Sequence, residues 1–114
     1  MTRRIDSSAS FRDFVLDQLS GLGEVECRAM FGGHGLYSSG TFFAIIFRAR
    51  LYLRTDEATR DAFLERGMKP FRPSATQKLG SYYEVPPEVL EDAPALETWA
   101  RAAVRSKRGG RHSP

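Results

Sequence analysis

The stretch VECRAMFGGHGLYSSGTFFAIIF, residues 25–47, decides the fold class. Val25, Cys27, Ala29 and Phe31 alternate with Glu24, Glu26, Arg28 and Met30, the period of two expected of a strand with one buried face. Gly32, Gly33 and Gly35 break that strand and permit a tight reversal into a short strand around Leu36 and Tyr37. Ser38, Ser39 and Gly40 form the next turn. Thr41 to Phe47 is a run of aromatic and β-branched residues without alternation, which predicts a central strand covered on both faces. Connections of hairpin length make these strands antiparallel.

Toward the C-terminus, Arg48, Ala49 and Arg50 admit two readings. They form either a tight turn into a further strand over 51–54 or the bend of one long strand. The turn chemistry is poor, since neither glycine nor asparagine is present. Thr55 and Asp56 are cap candidates for a helix with Ala58, Ala62 and Phe63 on its buried side and Gly67 as its stop. Residues 68–71 contain Pro70 and read as an edge strand, 73–80 as a polar loop, and 81–85 as a last strand. Pro86, Pro87 and Glu88 open a brief helical turn. Pro94 suits the first turn of the final helix, where Leu96, Trp99, Ala100, Ala103 and Val104 make an apolar stripe.

Toward the N-terminus, Ser10 and Asp13 resemble a capping box. Phe11, Phe14, Val15 and Leu19 then recur on one helical face, and Gly21 and Gly23 end the helix. The expected fold is α+β in two layers: an antiparallel sheet of about five strands with helices on one face, in the order α-β3-α-β2-α. Residues 10–105 form the domain, 1–9 a flexible N-terminus and 106–114 a disordered basic tail.

The chain has 114 residues, of which 41% are hydrophobic, enough for one domain with its own core. A single cysteine excludes an intrachain disulfide, and with no signal-peptide pattern a reducing cytoplasm is the expected location. The longest apolar run, 42–47, is too short to span a bilayer, so no membrane role is expected. The net charge is +3, but Arg3, Arg4, Arg101, Arg105, Lys107, Arg108 and Arg111 sit at the ends. Removing those seven from 17 basic residues leaves 10 against all 14 acidic ones, a body of −4. Nucleic-acid contact through the body is therefore disfavoured, and the tail residues Arg105, Lys107, Arg108 and Arg111 are the electrostatic candidates.

No catalytic, cofactor or metal site is read from the residues. His34 lacks ligand partners at metal spacing and reads as a turn histidine between glycines. Cys27 reads as a small core residue, because nothing nearby would lower its pKa. Gly32-Gly33-His34-Gly35 precedes a strand, not a helix, which argues against a phosphate loop. Arg48, Arg50, Tyr52 and Arg54 would share one sheet face if the strand were continuous, a small anion or stacking platform. Arg28, Tyr37 and Tyr83 are candidates for lining a small cleft.

Several segments together resemble a known family: RAMFGGHGLY (28–37), FFAII (42–46), LYLRTD (51–56), PF (70–71), YYEVP (82–86) and Trp99-Ala100 in the last helix. In this order they resemble the N-terminal domain of the TfoX/Sxy family of competence regulators, over residues 11–104. The resemblance implies a helix, three strands, a helix, two strands and a helix, without catalytic residues. Full-length members, as the resemblance implies, are transcriptional coactivators working with the cyclic-AMP receptor protein and carry a second domain. A stand-alone form is expected here. The functional expectation is a non-enzymatic regulatory or protein-interaction domain with a partner in the transcription machinery, as a homodimer. The alternatives are an accessory nucleic-acid binder acting through the tail, or a small-ligand-binding domain.

Overall fold

The structure is a computed structural model that describes residues 7–30, 32–71 and 79–106. Helix α1 (Ser7–Gln18) is followed by a 3-10 turn (Ser20–Leu22), then strands β1 (Val25–Met30), β2 (Gly33–Ser38), β3 (Thr41–Phe47) and β4 (Arg50–Arg54). Helix α2 (Glu57–Glu65), strands β5 (Pro70–Phe71) and β6 (Leu79–Glu84), and helices α3 (Pro87–Leu90) and α4 (Ala93–Arg105) complete the order. The six strands form one sheet in the order β1-β2-β3-β4-β6-β5, with every neighbouring pair antiparallel. The fold is α+β, as expected, with one strand more than the five read from the sequence.

The additional strand is β4, and it depends on a turn that the sequence disfavours. Arg48 and Ala49 both adopt positive φ, 52° and 60°, and Phe47 pairs with Arg50 across them. Each non-glycine residue in that region costs about 1–2 kcal/mol. The strand it creates buries Leu51 and Leu53 almost completely. Burying one such side chain stabilises by about 1.5–3 kcal/mol, so packing outweighs the strained turn.

β3 carries a bulge. Leu36 pairs with Ala44 but Tyr37 pairs with Phe42, leaving Phe43 without a direct partner in β2. The extra residue turns both Phe43 and Ala44 toward the main core. That core lies between sheet and helices: Val15 of α1, Leu19 just beyond its end, Phe63 of α2, Val89 of α3, and Leu96, Ala100 and Ala103 of α4 meet Leu36, Phe43, Ile46, Leu51 and Leu53. The opposite sheet face carries a smaller cluster of Ile45, Phe71 and Tyr82, with Phe42, Phe47 and Tyr52 packed against it.

The helix ends follow capping chemistry. Asp56 caps α2: the Thr59 N–H donates to its Oδ1 at 3.0 Å, and the Asp56 N–H donates to Thr59 Oγ1 at 3.0 Å. Gly67, at φ +74°, follows its last turn. The Ala95 N–H donates to Asp92 Oδ1 at 3.1 Å to start α4, with Pro94 in the first turn. α1 begins earlier than expected. Ser10 and Asp13 lie inside it, and Asp13 pairs with Arg12 at 3.4 Å. Phe14 falls off the buried face and is 39% exposed. Leu79 and Gly80, read as loop, begin β6, while Val85 lies beyond its end.

Candidate interaction surfaces

α2 and α4 border a groove of about 250 Å³. Ala58, Thr59, Ala62 and Phe63 come from α2, and Thr98, Trp99, Ala102 and Ala103 from α4. Both helices use positions i, i+1, i+4 and i+5, which share one helical face. Alanine at four of these eight positions leaves the space open. Ala58, expected to be buried, is exposed, and Ala62 is half-buried. Phe63 and Trp99 meet edge to face with centroids 4.8 Å apart. The Arg66 guanidinium lies 5.2 Å from the Trp99 ring centroid and pairs with Glu88 at 3.5 Å. An apolar trough with a half-exposed aromatic and cations at its margin is suited to apolar side chains of a partner.

Arg54 borders the groove and holds the end of α4. Its Nε donates to Ser106 Oγ at 2.8 Å, and its Nη2 donates to the carbonyls of Ala103, Val104 and Ser106 at 3.2–3.3 Å. The last carbonyls of a helix lack intrahelical donors, and a guanidinium supplies them together with favourable charge. This engagement dissolves the arginine platform. Arg48 sits in the turn over the Phe47 ring, Arg50 pairs with Glu84 at 3.2 Å, and Tyr52 packs on Phe71 at 4.7 Å. The turn, which the sequence left open, takes only Arg48 out of the strand; Arg50, Tyr52 and Arg54 keep one parity in β4, and their separate partners are what divide them.

Of the expected cleft, the structure brings two residues together. The Arg28 guanidinium lies 4.6 Å from the Tyr37 ring centroid, and its Nε donates to Glu26 Oε2 at 3.0 Å. That carboxylate holds Arg28 more firmly protonated than usual. Tyr37 also stacks on Phe42 at 5.1 Å and lines an open hollow with Glu24, Val25, Glu26, Ser39 and Gly40. Tyr83 lies elsewhere: it packs on the helical side, with its ring 6.0 Å from Phe63. Tyr83 is on β6, across β3 and β4 from Tyr37, and adjacent strand residues face opposite ways. The three residues do not line one cleft.

Among the described residues no group of three or more His, Cys, Asp or Glu side chains is placed to hold a metal ion. His34 is half-buried in β2, paired with Ala29 and Ile46. Cys27 packs against the edge of the main core, and burial pushes its thiol pKa up. Arg105 is exposed in the last turn of α4; Lys107, Arg108 and Arg111 lie outside the described residues, as does the Ser10-preceding segment 1–6. No helix among the described residues is long and apolar enough to cross a membrane. The groove between α2 and α4 was missed by sequence reasoning, although alanines spaced four apart (Ala58 and Ala62) are a signal for it.

Among curated proteins no match reaches significance. The family described as the TfoX N-terminal domain matches residues 17–107, a span that starts in α1 and takes in all six strands and α4. With most of its length matched and the α+β fold in place, the chain belongs to the TfoX N-terminal domain family.

Proposed function

We propose that this chain is a non-enzymatic regulatory module that works by binding a protein of the transcription machinery, as competence regulators of the TfoX type do. The observation that supports this most is the open α2–α4 groove, where Trp99 stands beside alanine positions that leave room for a partner's apolar side chains. Partner-binding hot spots are enriched in tryptophan and arginine set in such troughs. Membership of the family supports the regulatory half of the reading. The test is transcript profiling of cells lacking the protein, complemented with wild type or with Ala62→Glu, whose half-buried site tolerates a carboxylate at the groove. Wild type should restore the profile and A62E should not, at equal abundance and unchanged circular dichroism. Full restoration by A62E would overturn the groove as the working surface.

A second reading, nucleic-acid binding through the tail, draws on the charge asymmetry between the −4 body and the basic C-terminus. Replacing Arg105, Lys107, Arg108 and Arg111 by alanine should then abolish retention on DNA, with affinity falling steeply as salt rises. Unchanged retention, or none by wild type at low salt, ends that reading.

A further inference from the structure

The two edges of the sheet are built differently. β5 has two residues, one of them Pro70, which has no N–H to offer a further strand. β1 has six, in unbroken register with β2 over Val25↔Ser38 to Met30↔Gly33, with no proline, no lysine and no bulge. Those are the usual devices that stop an edge from pairing with another chain. Its outer charges are Glu26 and Arg28, whose side chains are 57% and 58% exposed. By the alternation of the strand, Val25 and Cys27 turn toward the helical layer, where both pack, and Glu26 and Arg28 turn to the other face.

These residues are self-complementary in one register. In an antiparallel pair of two copies with Cys27 opposite Cys27, each Glu26 lies opposite Arg28 of the other copy, and Val25 lies opposite Ala29. Opposite charges directly across a strand pair stabilise it, and like charges destabilise it. Centring the pair on Glu26 or on Arg28 would set like charges face to face. The Cys27 register also keeps both helical layers on the same side of a continuous sheet. We infer that a second copy of this chain adds to the β1 edge, antiparallel and about a two-fold axis at Cys27, in a strand-mediated homodimer.

An interface of one strand pair is small, so its Kd is expected at about 1–100 µM. The surface is separate from the α2–α4 groove, and a monomeric protein would leave the groove reading standing. The experiment combines sedimentation with cross-linking of the full chain at about 1 mM, roughly ten times the top of that range. Wild type should sediment as a dimer. Glu26→Arg and Arg28→Glu, each of which places like charges opposite, should both sediment as monomers. The double variant E26R/R28E restores opposite pairs and should dimerise again. Diamide, which takes two electrons and two protons from two thiols, should join the copies through Cys27. Directly opposed residues in an antiparallel pair have Cα atoms about 4.5–5.5 Å apart, inside the disulfide range. A monomeric wild type overturns the inference, and so does a dimer indifferent to both single reversals, or a double variant that stays monomeric.

Discussion

Arg54 donates to Ser106 across 52 positions of sequence, its Nε 2.8 Å from the hydroxyl oxygen, and so ties the end of β4 to the end of α4. Ser106 Oγ in turn donates to Ala103 O at 2.8 Å, and Ser106 is 7% exposed. The pair closes a helix whose buried side, Leu96, Ala100 and Ala103, covers the sheet. Arg54→Ala should therefore destabilise by about 2–3 kcal/mol, since it removes charge-assisted bonds and leaves carbonyls unmatched. Arg54→Lys should recover only part of this, because an ammonium lacks the planar fork. Urea unfolding of the two variants checks both values.

The turn of Arg48 and Ala49 should yield the opposite sign. Glycine adopts positive φ without the Cβ clash, so Ala49→Gly should stabilise by about 1 kcal/mol despite its entropic cost. The replacement of both residues by Asn-Gly, the preferred pair for this turn, should do at least as well. In a domain of this size each 1 kcal/mol corresponds to about 4–8 °C in Tm, which calorimetry resolves.

Gly33 should not tolerate a side chain. A Cβ built there collides with the Ile46 carbonyl and crowds the Phe47 ring at 3.2 Å. The obstacle is backbone of the central strand, which cannot step aside as a flexible side chain can. Gly33→Ala should cost about 3 kcal/mol, among the larger single-site losses. Gly40→Ala, with nothing within 4 Å, should cost less and only through its φ of +83°. Chemical denaturation of the two variants side by side separates collision from backbone strain.

Stability should fall in alkali. Burial raises the thiol of Cys27, and burial together with the Glu84 charge raises the phenol of Tyr52, each above its ordinary value. For both groups the folded state holds the proton more tightly than the unfolded chain. The contribution is thus complete below the ordinary values, 9.0 and 10.0, and is lost as pH rises past them. Unfolding free energies measured from pH 8 to 11 should decline, and Cys27→Ser with Tyr52→Phe should flatten the decline.

The strands over 25–47 were legible because period-two alternation is a local property of neighbouring residues, but Gly33, His34 and Gly35, read as the break between strands, belong to β2, where they pair with their neighbours. The helix capped by Asp56 and the last helix were legible for the same reason: caps and apolar stripes sit within a few residues of one another. The Arg48-Ala49 turn was only half legible. Its local chemistry argues against it, and it forms because Leu51 and Leu53 gain a core built by distant segments. The candidate sites fared by the same logic. Arg28 and Tyr37 meet because β1 and β2 are joined by one hairpin, and Tyr83 is absent from that meeting because strand order and parity were not fixed by spacing. The α2–α4 groove required two helices separated by two strands and the short α3 to settle side by side.

By itself, then, the sequence determined the α+β class, the antiparallel hairpins, the Asp56 cap of α2 and the acidic body between basic ends, all of which depend on residues near one another in the chain. Only the tertiary structure decided the six-strand order, the fate of the arginines, the open groove and the place of β1 at the sheet's edge. Those depend on contacts between residues far apart in the chain, where packing free energy overrides local preference.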